Sequence, residues 1–333
     1  MEPTTPLVRS LLAAVAVGAV GVAAGAAPSA MAHGRPTTYQ LDGDAAGPGN
    51  PVGSKFEGIG ADQRRGLFYV SEVTGGEIHR GSVHSPDTEE WLAGDGTDGR
   101  YTARGITVDR QGRVYIAGGP NGIGTGRPDL WVYAPDGTLL AALRVPGEEV
   151  FLNDVAIGAD GAAYFTNSND AQIFRVANHG AGWQATLWAD ATDRIPREPG
   201  FNLGGIVLTA DRSAFVVAQG NAGKLWRIDT ATGEATEVQI SGADTTGADL
   251  VNADGLVREG NRLTVVRNFS RMIATLRLAA DGSRARLVDQ QPTAADRVLT
   301  TAKALHGRIL YVDSKFDEPV ATAPYEVITD PTR

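Results

Sequence analysis

Residues 151–168 read FLNDVAIGADGAAYFTNS, two short apolar runs around Asp160-Gly161. Asp-Gly between apolar runs predicts a hairpin, because Gly adopts the left-handed backbone of a tight turn at no steric cost. The first run opens with a polar pair, Asn153-Asp154. Five other stretches share this layout. Their second runs lie at 67–71, 113–117, 213–217, 262–266 and 308–312, beside 162–166 of the first. Each follows a turn, at positions 66, 112, 161, 212, 260 and 307, which are 46, 49, 51, 48 and 47 residues apart. A near-constant period in this range marks repeated supersecondary units.

Each repeat also offers a third run, such as 130–133, 172–176 or 224–228, and a fourth, such as 138–143 or 235–240. Four antiparallel strands per repeat, arranged radially, make a propeller blade. The expected fold is therefore all-β, a six-bladed β-propeller in one domain over 33–333. The last repeat lacks a full outer strand after Tyr325, and residues 37–41 are placed to supply it, closing the ring and removing a sheet edge.

Residues 1–32 read as a signal peptide: Arg9, then an apolar stretch to Ala27, then the A-x-A pattern Ala30-Met31-Ala32. The expectation is a secreted, monomeric protein with no membrane span once processed. The 333 residues contain no cysteine, which removes thiolate chemistry and disulfides, and a domain of this size can bury enough core without them. The formal charge of −9 argues against a nucleic-acid partner. Residues 118–129 are Gly-rich, but a strand rather than a helix follows, so they read as an inter-strand loop and not a phosphate cradle. Residues 191–202 form a longer loop of the kind that borders sites. The acidic stretch 244–249 lacks EF-hand spacing and reads as a solvated loop.

Aligning the starts of the first strands gives Glu57, Arg104, Asn153, Gly204, Asp254 and Thr300 at equivalent positions. Inner strands line a propeller's channel, so these residues should ring one opening. Glu57, Asp254 and the amide oxygen of Asn153 are hard ligands suited to calcium or magnesium. Such a metal can polarise a carbonyl and activate water, with Asp254 or Glu57 as base. Arg104, Asn202, Thr300 and Asp154 are candidates for binding a small-molecule substrate. The other reading is a water-filled hydrogen-bond ring that closes the channel. None of the five histidines shows a metal-ligand spacing such as H-E-x-x-H.

With FEGI at 56–59, FLND at 151–154, NADGL at 252–256 and GKLWRID at 223–229, the sequence resembles the SMP-30/gluconolactonase/LRE-like family over about residues 50–320. That resemblance implies a six-bladed propeller with one divalent metal, calcium first, and lactonase activity. It implies Glu57 and Asp254 as metal ligands, Asp254 also as the base, and Asn153 as a metal- or substrate-facing residue. The chain departs from the pattern in the fourth blade, where Gly204-Gly205 replaces the family's metal-binding Asn. Asn202 lies two residues upstream, roughly 6.6 Å along a strand. Phe151 replaces an arginine, and Arg104 is placed to supply that charge. Two functions follow as expectations: a metal-dependent hydrolase of a lactone or related ester, or a non-catalytic propeller that binds a small molecule or protein. A propeller lyase or isomerase is a third.

Overall fold

The computed structural model describes residues 34–242 and 250–333. The expected signal peptide and the 244–249 loop lie outside them. Residues 35–333 form one unit, built from six sheets, antiparallel except for one added outer strand in the fifth blade. The inner strands are Phe56–Asp62, Ile106–Val108, Leu152–Ile157, Leu203–Leu208, Ala253–Glu259 and Leu299–Leu305. Each packs on the inner strands before and after it, and the sixth packs on the first, so they close a ring around a channel.

The second strands are buried on both faces: Val114–Ala117, Ala163–Asn167 and Ala214–Gln219 have no exposed residue. Side chains alternate along a strand, so each blade sends one set to each neighbour. Phe68 and Val70 pack toward blade six, and Tyr69 between them packs toward blade two. Phe215 and Val217 face blade three, while Val216 and Ala218 face blade five. The core is therefore six apolar clusters, one between each pair of adjacent blades.

The ring closes as the sequence predicts. Thr38–Gln40 pairs antiparallel with Glu326–Ile328, Tyr39 opposite Val327, and becomes the outer strand of blade six. The fourth strand of blade four differs from expectation. Ala235–Glu237 stays in blade four, but Gln239–Ser241 crosses to pair in parallel with Arg284–Arg286, the outer strand of blade five. Val238 between them is buried in the cluster shared by these two blades, and its N–H donates to Leu225 O at 2.9 Å. That anchor turns the chain outward.

Candidate functional site at the channel mouth

In five blades the inner and second strands shift register at one place, between Phe56 and Ile59, Leu152 and Val155, Leu203 and Ile206, Ala253 and Leu256, and Leu299 and Ala302. Each shift sets two inner-strand residues against one partner, a β-bulge, which bends the strand and re-aims a side chain. The paired residues are Glu57-Gly58, Asn153-Asp154, Gly204-Gly205, Asp254-Gly255 and Thr300-Thr301. Blade two does the same with Arg104-Gly105, which exchange hydrogen bonds with Ala117.

Five of the six first residues, all but Thr300, face the channel mouth. Glu57, Arg104, Asn153, Gly204 and Asp254 line a cavity of about 390 Å³ at the channel mouth. The second residues, Gly58, Gly105, Asp154, Gly205, Gly255 and Thr301, form the waist below it. Glycine recurs there because the next blade approaches too closely for a side chain. A Cβ on Gly58 would lie 2.1 Å from Arg104 O, and one on Gly205 would lie 2.3 Å from Asp254 O. Hydroxyls opposite two of the bulges tie the blades together: Ser71 Oγ donates to Arg104 O at 2.6 Å and Thr166 Oγ1 to Gly204 O at 2.8 Å.

The expected site residues take four placements. Glu57, Arg104, Asn153 and Asp254 meet in the mouth. Asp154 sits in the waist, where Oδ2 accepts from Ile206 N at 3.2 Å and Oδ1 lies 3.9 Å from Lys303 Nζ. Thr300 is absent from the cavity wall; its hydroxyl donates to Glu57 O at 3.0 Å, a contact between blades six and one. Asn202 borders the cavity, but its amide is engaged by the 191–202 loop. Its Oδ1 accepts from Glu198 N at 2.8 Å and its Nδ2 donates to Glu198 O at 3.0 Å.

Charge is dense and poorly solvated in the mouth. Glu57 makes an ion pair with Arg104, whose guanidinium lies 4.8 Å from the Phe151 ring centre. Burial nevertheless pushes the Glu57 carboxyl above its usual range, Arg104 only partly offsetting it. Asp254 is pushed up well beyond the ordinary carboxylate range, first by burial and then by Glu57; a hydrogen bond from Asn268 opposes this. Asn268 Nδ2 donates to Asp254 Oδ2 at 2.8 Å, leaving Oδ1 on the cavity side.

Gly204 leaves room where its neighbours converge. A Cβ there would lie 3.8 Å from both Asn153 Oδ1 and Asp254 Oδ1. Glu57, Asn153 and Asp254 offer three oxygen donors, a set that fits a hard divalent cation of the calcium type. Gly204 contributes no fourth side chain, and Arg104 covers part of Glu57. Sequence reasoning did not find Asn268, Phe201, Phe269 or Phe316, which complete the wall. Phe201 and Phe269 are 59% and 54% exposed, and an exposed aromatic in a loop is the signal that could have marked them.

The fold and mouth define a six-bladed propeller with an acidic, aromatic-rimmed site on its axis. No family model and no curated protein matches the chain. Solved structures do. A gluconolactonase from Xanthomonas campestris superposes with a TM-score of 0.59 at 13% identity, covering 90% of this chain and 99% of that one. The calcium-binding protein regucalcin from Agrobacterium tumefaciens gives 0.56 at 16% identity, covering 84% and 92%. Virginiamycin B lyase from Staphylococcus aureus gives 0.55 at 13%, covering 78% of each. At such identities the likeness is one of fold.

Proposed function

We propose that the channel mouth is the active site of a hydrolase that opens a lactone or a related small ester. The observation that carries this is Asp254: a half-buried carboxylate pushed above its ordinary range, one oxygen held by Asn268 and the other facing a cavity of about 390 Å³. That volume suits a small ring, and a carboxylate raised toward the working pH is a better base than an ordinary one. Asp254 Oδ1 takes a proton from water as the water oxygen attacks the substrate carbonyl. The Arg104 guanidinium, beside the wall, stabilises the oxyanion. Collapse breaks the bond to the leaving alkoxide, and Asp254 returns its proton to that oxygen. Phe201, Phe269 and Phe316 cover the apolar face of the ring. A calcium-type cation, held by Glu57, Asn153 and Asp254, would polarise the carbonyl when bound. The neighbours described as gluconolactonase and regucalcin support this reading at the level of fold.

The test is turnover of a panel of sugar lactones, aliphatic lactones and aryl esters by the full chain and by Asp254→Asn. Hydrolysis in H₂¹⁸O must place the label in the product acid, and Asp254→Asn must lose turnover; unchanged turnover sinks the reading. A lyase is disfavoured: virginiamycin B lyase is inactive as a His-to-Ala variant, and no histidine lines this mouth among the described residues. The second reading, a non-catalytic binding propeller, is favoured by Gly204 and by the Glu57–Arg104 ion pair, which neutralises one candidate ligand internally. One calcium per chain, retained after dialysis and lost in Asp254→Asn, would count against it. We also propose export with cleavage after Ala32, checked by the N-terminus of the protein recovered from culture medium.

A further inference from the structure

The hairpin joining the second and third strands of blade one, residues 72–79, reads EVTGGEIH and lies apart from the channel wall. His79 is fully buried, and neither ring nitrogen has a hydrogen-bond partner. Its Nε2 sits 3.7 Å from Glu72 Oε2 and 3.6 Å from Glu77 Oε2. Glu72 is 1% exposed, and its Oε2 is also unpartnered. Its Oε1 is fixed by the Thr74 hydroxyl at 2.7 Å, and the Phe56 ring packs on the imidazole at 5.4 Å between ring centres. Buried polar atoms without partners are costly. These separations are too long for hydrogen bonds but near the roughly 3.3 Å edge of a tetrahedron of nitrogen and oxygen donors at zinc distances. Among the described residues this is the one group of three or more acidic or histidine ligands whose donor atoms converge this way.

We propose that Glu72, Glu77 and His79 bind a divalent cation of borderline character, with zinc as the reference ion, in a structural site separate from the channel. One imidazole and two carboxylates form a mixed nitrogen–oxygen set of the kind zinc takes, and Glu77, with 19% of its side chain exposed, gives the entry path. Such an ion would staple the hairpin on which the mouth is built. Glu72 pairs with Phe56, next to Glu57, and Glu72 O accepts from Ala103 N, next to Arg104, at 3.1 Å.

The experiment is zinc binding to the full chain after chelator treatment, by equilibrium dialysis and metal analysis, in wild type, Asp254→Asn, Glu77→Gln and His79→Gln. Wild type and Asp254→Asn are expected to hold one zinc each. Glu77→Gln and His79→Gln are expected to bind at least about a hundredfold more weakly, the upper range seen when an outer-shell partner alone is lost. Should His79→Gln fail to fold, Glu77→Gln decides, with its circular dichroism as the check on folding. The proposal is overturned if wild type binds no zinc at millimolar concentration, if all four proteins bind alike, or if Asp254→Asn alone loses the ion, which would assign it to the channel.

Discussion

Asp254 is where chemistry and stability pull in opposite directions. Its pKa in the folded chain is raised above the ordinary value of 3.8, so the native state binds more protons than the unfolded chain. Stability therefore falls as pH rises from near 3.8 through the raised value. Catalysis runs the other way, because only the deprotonated carboxylate accepts a proton, and turnover is expected to rise with pH over the same window. Asp254→Asn should separate the two. Its turnover should drop by about 10²–10⁴-fold, read by steady-state lactone hydrolysis. Its Tm should rise at the pH values where Asp254 is ionised, read by circular dichroism, since a neutral amide of the same shape carries no charge to desolvate. Glu57, Asn153 and Asp254 were legible in the sequence because each opens a dipeptide that recurs with the blade period. Asn268 and the three phenylalanines were not, because they sit on turns and loops whose lengths differ from blade to blade.

Neighbouring glycines in one bulge make a sharper test at the level of the strand. A Cβ on Gly205 would lie 2.3 Å from Asp254 O, whereas one on Gly204 would have nothing nearer than 3.7 Å. Gly205→Ala is expected to destabilise the fold by about 1–3 kcal/mol through overpacking. Gly204→Ala should stay within about 0.5 kcal/mol of wild type; both are read from urea midpoints at constant m-value. The strands themselves were readable from turn spacing and apolar runs. The crossing after Glu237 was not, because residues 235–240 look like one strand, and only the burial of Val238 between two blades divides them. The 72–79 hairpin escaped for a related reason. Its candidate ligands are five and two residues apart, a spacing that means nothing until the Thr74-Gly75-Gly76 turn folds the chain back on itself.

At the scale of the whole molecule, six equivalent interfaces share the apolar core, and one of them depends on a strand from the other end of the chain. Tyr39 is fully buried there, with its ring 4.9 Å from that of Phe68. Tyr39→Ala is expected to cost about 3–5 kcal/mol, the range for deleting a large buried ring, measured by urea unfolding. Deleting residues 35–41 should cost more and expose the edge of Glu326–Ile328, seen as concentration-dependent association in sedimentation. The closure was legible because the last repeat came up one strand short. It also sets an order of events. Synthesis runs from Thr38–Gln40 to its partner Glu326–Ile328, separated by 286 residues from Gln40 to Glu326. At about 5–20 residues per second that gap lasts on the order of 15–60 s. Blades one to five can form as they emerge, while Thr38–Gln40 waits for its pairing partner Glu326–Ile328. Blade six is thus the slow, vulnerable step of biogenesis, and the interval when a holding chaperone would matter most to yield.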